Sequence, residues 1–152
     1  MPLNRNKDIY SIALIIIGDE ILSGRTQDTN TAWIAEQVNK MGLALHQVRV
    51  VPDVETEIIA AIHDLKGKVD YVFTTGGIGP THDDITSEAV AKAFDKKLVL
   101  NDVAYQILIR HYGDESLVTP PRKKMAMIPE GARLINNPVS GAPGFQIDNV
   151  FV

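Results

Sequence analysis

Over its first hundred residues the chain alternates short apolar runs with apolar stripes at helical spacing, and glycine or proline closes most of them. Ile12 to Ile17 is an unbroken apolar run ended by Gly18, the pattern of a strand buried on both faces of a parallel sheet. Asn30 to Met41 then places Ile34, Val38 and Met41 at helical spacing, with Gly42 positioned to end a helix. Leu43 to Val51, β-branched toward Pro52, reads as a second strand. Asp53 stands at an N-cap position, and Val54, Ile58, Ile59, Ile62 and Leu65 form one helical face before Gly67. Val69 to Thr75 reads as a third strand, broken by Gly76-Gly77-Ile78-Gly79-Pro80. A third helix follows, capped by Asp83 or Asp84, with Ile85, Ala89, Val90, Ala93 and Phe94 on its buried side.

Three successive strand-then-helix units predict a mostly parallel sheet with right-handed crossovers and helices on both faces, a three-layer α/β/α fold. Beyond Leu98 the rhythm changes. Asp102 to Tyr112 reads as a helix, Pro120-Pro121 opens another running to about Ala126, and Pro129-Glu130-Gly131 makes a turn. Leu134-Ile135, Gly144 to Ile147 and Val150 to Val152 read as short strands or hairpin arms.

The length of 152 residues fits one domain. The opening residues are polar and aperiodic, so residues 1–9 are expected to form a flexible tail ahead of a domain spanning 10–152. A net charge of -4 argues against a surface that neutralises nucleic-acid phosphates and favours a compact ligand. The absence of cysteine excludes disulfides, thiolate metal sites and thiol catalysis, and fits the cytoplasm. Ile12 to Ile17 is far shorter than the roughly 20 residues a membrane helix needs. Lys7 and Asp8 before it, and Gly18-Asp19-Glu20 after it, also make a poor signal peptide. A soluble cytoplasmic protein without a membrane partner is expected.

Open parallel sheets bind ligands outside the carboxyl ends of their strands. The loops there run from Gly18 to Asn30, through Pro52-Asp53, and from Gly76 to Thr86, and each carries carboxylates: Asp19, Glu20 and Asp28, then Asp53, then Asp83 and Asp84. In the third loop, glycines allow backbone N–H groups to approach a ligand, and the following helix start favours phosphate. Thr75, Thr81 and Thr86 add hydroxyls. The loop is neither a P-loop, lacking Gly-Lys-Ser/Thr, nor a dinucleotide fingerprint, since the glycine spacing fails. So many acids beside a phosphate call for a cation such as Mg²⁺, or for the paired N–H donors of a pterin edge.

Three separated segments now become recognisable: Gly18-Asp19-Glu20-Ile21-Leu22-Ser23-Gly24, then Asp28-Thr29-Asn30, then Thr75 to Ala89 with its Gly-Gly-Ile-Gly-Pro-Thr-His-Asp-Asp core. Together with Asn137-Pro138 and Gly141-Ala142-Pro143-Gly144-Phe145 they resemble the molybdopterin-binding (MoaB/Mog) domain family, above all its branch of CinA amino-terminal domains and stand-alone relatives. The resemblance implies a three-layer α/β fold, usually a homotrimer, that holds molybdopterin or an adenine nucleotide on the glycine-rich loop. In Mog-like members it implies Mg²⁺-dependent adenylylation of molybdopterin, with Asp84, and a carboxylate matching Asp53, as catalytic and metal-binding groups. CinA-like members resemble nucleotide pyrophosphatases acting on ADP-ribose, and a module that only holds molybdopterin is the third reading. The chain departs from Mog-type proteins in having Gly-Asp-Glu-Ile-Leu where they have Ser-Asp-Thr, and it lacks CinA's carboxyl-terminal amidase domain. The family also continues past the last strand with a Pro-Gly-Val-Pro-like loop, which here would follow Val152.

The ligand-binding set expected is Gly18, Asp19, Glu20, Thr75, Gly76, Gly77, Gly79, Pro80, Thr81, Asp83, Thr86, Ser140, Gly141 and Pro143. Each has a plainer reading: a tight turn for the glycine loop, helix caps for Asp53, Asp83 and Asp84, and a solvated strand exit for Asp19 and Glu20. His82 reads as solvent-facing, His46, His63 and His111 as surface residues, and Trp33 as a packing or oligomer contact. Arg122, Lys123 and Lys124 are either a solvated helix face or an approach to phosphates. Ser140 has no neighbouring base in sequence, so its segment reads as a second ligand-facing loop rather than a nucleophile.

Overall fold

The computed structural model describes residues 9–152, so the expected tail falls, apart from Ile9, outside the described residues. Four strands run parallel in the main sheet: β1 (Ser11–Ile17), β2 (Ala44–Val51), β3 (Tyr71–Thr75) and, near the end of the chain, β8 (Val150–Phe151). β7 (Gly144–Ile147) and β6 (Arg133–Ile135) return antiparallel, giving the order β2-β1-β3-β8-β7-β6. Central position explains the composition of β1: with strands on both sides and helices flanking the sheet, Ile12 to Ile17 are all buried. Ala13, Ile15 and Ile17 join the large core with Ile58, Ile62, Leu65, Ala89, Val90, Ala104, Leu108 and Phe145. Ile12, Leu14 and Ile16, equally buried, point by strand alternation to the opposite face.

The loop after β1 contains a one-turn helix, α1 (Asp19–Leu22), too short to show periodicity. The longer helices follow the expected order: α2 (Asn30–Lys40), α3 (Glu55–Leu65), α4 (Thr86–Ala93) and α5 (Asp102–Tyr112), then the short α6 (Pro120–Lys123). Gly42, with φ of 75°, closes α2: its N–H donates to the Asn39 carbonyl, and the Leu43 N–H reaches back to Val38, a paired C-terminal lock. Asn101 caps α5 by accepting from the Ala104 N–H at 2.9 Å.

Several sequence expectations need correction. Asp53 does not cap α3: Val54 holds the N-cap position, and the Asp53 carboxylate turns instead to the loop after β1. Neither Asp83 nor Asp84 caps α4, because the chain continues to Ile85 before the helix begins. Met41 is 66% exposed, having passed the end of its helix, and Val54 precedes its own. Past Leu98 the chain also forms a two-stranded antiparallel ribbon that the pattern does not predict: β4 (Leu98–Leu100) pairs with β5 (Met127–Pro129) across 26 intervening residues. His63 is exposed, as expected, and its ring is anchored by Nε2 lying 2.8 Å from the Ala93 carbonyl oxygen.

Candidate functional site

Three loops meet at the carboxyl ends of β1, β2 and β3, and their geometry begins with two glycines. Gly76 leaves β3 at φ of 92°, and a Cβ there would sit 2.0 Å from the Ile17 carbonyl oxygen. Gly77, at φ of 71°, would collide in the same way with the Thr86 hydroxyl at 2.1 Å. Only residues without a side chain permit such close passage. Thr86 completes the fold of the loop: fully buried, it donates from Oγ1 to the Gly76 carbonyl and from its N–H to the Gly77 carbonyl, both at 3.0 Å. Thr86 is therefore a support under the loop, not a wall of the cavity above it.

The remainder of the loop is tied by Asp84. Its Oδ2 accepts from the Thr81 N–H at 2.9 Å and from the Thr81 hydroxyl at 2.7 Å, while that hydroxyl also lies 2.6 Å from Asp83 Oδ1. The Thr81 hydrogen bond, foremost among several contacts, holds the Asp83 carboxyl below its ordinary pKa. His82 and Pro80 are exposed.

Two clefts flank this loop. Gly77, Ile78, Gly79, Asp84, Ser87, Glu88, Leu98 and Lys124 line one of about 290 Å³. Ile78, Gly79 and Pro80 share a second, of about 600 Å³, with Tyr112, Met125, Asn137, Ser140 and Ala142. Asn137 shapes that far wall: its side-chain amide donates to Ser140 Oγ at 2.8 Å and to the Ala142 carbonyl at 3.0 Å. Ser140 thus joins the glycine loop from the distant end of the chain, whereas Gly141 and Pro143 are buried and do not line the cleft.

A third cleft, of about 460 Å³, opens where β1 and β3 end, lined by Glu20, Ile21, Thr26 to Asn30, Thr75 and Gly76. Gly18, just beyond β1, is buried and donates its N–H to the Val51 carbonyl. Here the loops after β1 and β2 clasp each other: the Asp19 N–H donates to Asp53 Oδ2 at 3.0 Å, and the Asp53 N–H to Asp19 Oδ1 at 3.3 Å. Desolvation raises the Asp53 pKa, and the like charges of Asp19, Glu20 and Asp83 add to it, against the Asp19 N–H bond. Asp28 is lowered, chiefly by the Thr31 hydroxyl.

Among the described residues no three histidine or acidic side chains come close enough to hold a metal ion by themselves. Mg²⁺ is commonly held by one or two carboxylates together with phosphate oxygens. Sequence reasoning misses the apolar walls of the clefts. Leu98, Tyr112 and Met125 reach them from the later part of the chain, and no local signal marks any of the three.

A parallel sheet crowned by a glycine loop, a helix start and acids from neighbouring loops defines an α/β ligand-binding domain of the class that receives small molecules at the carboxyl edge. The family described as a probable molybdopterin binding domain matches residues 13–150, and the chain belongs to it. The crystal structure of the protein CinA from Thermoplasma acidophilum, described as of unknown function, superposes with a TM-score of 0.86 at 36% identity, covering 95% of this chain and 88% of that one. The tungsten cofactor synthesizing protein MoaB from Pyrococcus furiosus shares the fold at a TM-score of 0.56 and 23% identity, over 95% of this chain and 81% of that one. A protein of Pyrobaculum calidifontis is 42% identical over 132 residues, 86% of this chain and 50% of its own length. A CinA-like protein of Syntrophotalea carbinolica is 37% identical over 138 residues, 90% of this chain and 34% of its own. The chain thus spans about half, or less, of the length of these curated relatives. No helix among the described residues is long and apolar enough to cross a membrane.

Proposed function

We propose that this domain binds molybdopterin or a related phosphorylated pterin or nucleotide, in molybdenum cofactor biosynthesis. One observation carries the reading: Gly77, Gly79 and Asp84 line a single cleft with Ser87 and Glu88 of the first turn of α4, so the glycine loop and a helix start border the same space as a carboxylate. The ring of the ligand fits the wider neighbouring cleft, beside Tyr112, Met125 and Ser140, and its phosphate the narrower one. Asp84 and Asp53 would hold Mg²⁺ together with phosphate oxygens, and the ion would supply charge neutralisation at the reacting phosphorus. In adenylyl transfer a molybdopterin phosphate oxygen attacks the α-phosphorus of ATP, the α–β bridge breaks, and pyrophosphate leaves. Asp84, its Oδ2 tied to Thr81, would be held in place at the edge of that exchange.

The 36% identity to a CinA protein, together with what the resemblance to CinA-like members implies, supports a second reading. In it, water attacks one phosphorus of ADP-ribose, giving AMP and ribose 5-phosphate. Purified protein with Mg²⁺ separates the two: ATP consumption that needs molybdopterin supports the first, and AMP release from ADP-ribose the second. Asp84→Asn is expected to remove either activity, and full activity in that variant would remove Asp84 from its role. Binding without turnover would leave a holding module. The homotrimer implied by the family resemblance is read by sedimentation of the same preparation.

A further inference from the structure

Lys124 enters the narrow cleft from a part of the chain that none of the three loops includes. It follows α6 and reaches back 43 residues, its ammonium donating to the Thr81 carbonyl. Among the residues lining the cleft it is the one cation, and the other charged groups there are Asp84 and Glu88. Its neighbours in sequence are occupied elsewhere: Arg122 lies 4.1 Å from the Tyr112 ring centroid and donates to the Leu117 carbonyl, and Lys123 lies over the Tyr105 ring. Lys124, by contrast, bonds a neutral carbonyl. Two of its three donors remain for a ligand, and its charge acts on Asp83 only through space.

Resting on the ligand class read above, we propose that Lys124 grips the ligand's phosphate and makes the cleft selective for phosphorylated over unphosphorylated forms. The reason is electrostatic. An anion entering beside Asp84 and Glu88 meets like charge at short range, and amide dipoles of the loop offer only partial charges against it. A full positive charge on the wall changes that sign. Because the Thr81 residue that receives Lys124 also holds Asp84, the cation and the carboxylate are set by one turn.

The test is calorimetric titration of the wild type, Lys124→Ala and Lys124→Arg with two matched pairs: AMP and adenosine, and a phosphorylated pterin and its unphosphorylated parent. Lys124→Ala is expected to weaken the phosphorylated member by about 10- to 100-fold, the range for a charged hydrogen bond, and to leave the unphosphorylated member unchanged. Lys124→Arg should restore most of the loss, and the fall of affinity with salt should flatten in Lys124→Ala. Equal loss in both members would mark a structural lysine, and no loss would remove it from the site; either result overturns the proposal while leaving the ligand class intact. Should Lys124→Ala fail to fold, Lys124→Gln gives the same comparison. A wild type that binds neither phosphorylated probe overturns the reading of the site and the role of Lys124 with it.

Discussion

The loops after β1 and β3 leave adjacent, parallel strands, paired in register from Ile12 with Tyr71 to Ile16 with Thr75, yet they hold their shapes by different means. After β3 the loop is fixed by contact: Gly76 passes against the Ile17 carbonyl, and a fully buried Thr86 supports it from below. After β1 the chain forms a single helical turn with no buried residue, held by exposed polar bonds such as Asp19 to Asp53. Sterics set one loop and polar hydrogen bonds set the other. A ligand cradle gains from both, since amides must stay in place while acids answer to a cation.

Substitutions should separate these two regimes. Gly76→Ala is expected to have the largest effect, a loss of at least about 2 kcal/mol in urea unfolding, because a methyl group would meet immovable backbone at positive φ. Thr86→Val should cost about 1 to 2 kcal/mol by removing the bond to the Gly76 carbonyl, and should also weaken ligand binding. On the other loop, Asp28→Ala should cost about 1 kcal/mol, since its carboxylate accepts the Asn30 and Thr31 N–H groups at the start of α2. The Asp28 pKa is lowered in the fold. Its stabilisation is therefore present above the unfolded pKa and lost as pH falls through the folded one, so the deficit of Asp28→Ala should shrink in acid.

Asp53→Asn should have the smallest effect and the opposite sign. The Asp53 pKa is raised, so the folded state loses stability as pH rises through its titration. Asparagine removes the repulsion of Asp19, Glu20 and Asp83 while its carbonyl can still accept the Asp19 N–H. A gain of up to about 1 kcal/mol at neutral pH, vanishing in acid, is expected from thermal unfolding at both pH values. A loss at neutral pH would show that the clasp between these loops depends on the charge itself.

β1 is the most legible strand because burial shapes its composition: covered on both faces, Ile12 to Ile17 leave a continuous apolar run, whereas β2, at the sheet edge with only Val51 buried, is marked by its β-branched end. The glycine loop is legible for a related reason, since Gly76-Gly77 interrupts such a pattern where no side chain fits. What stays hidden depends on distance along the chain. The β4–β5 ribbon joins three-residue strands, too short for either to carry periodicity. Asp53 reads as a cap because a cap and a loop acid share the same residue type and position. Its true partner, Asp19, lies 34 residues away, and local sequence does not mark it.

Backbone amide NMR shifts during titration with AMP and with a phosphorylated pterin test the central claim most directly. The largest changes are expected at the Gly77 and Gly79 amides, which line the cleft that Asp84 shares, and at Thr86 beneath them. Shifts confined to residues away from this loop, or none with either ligand, would contradict it.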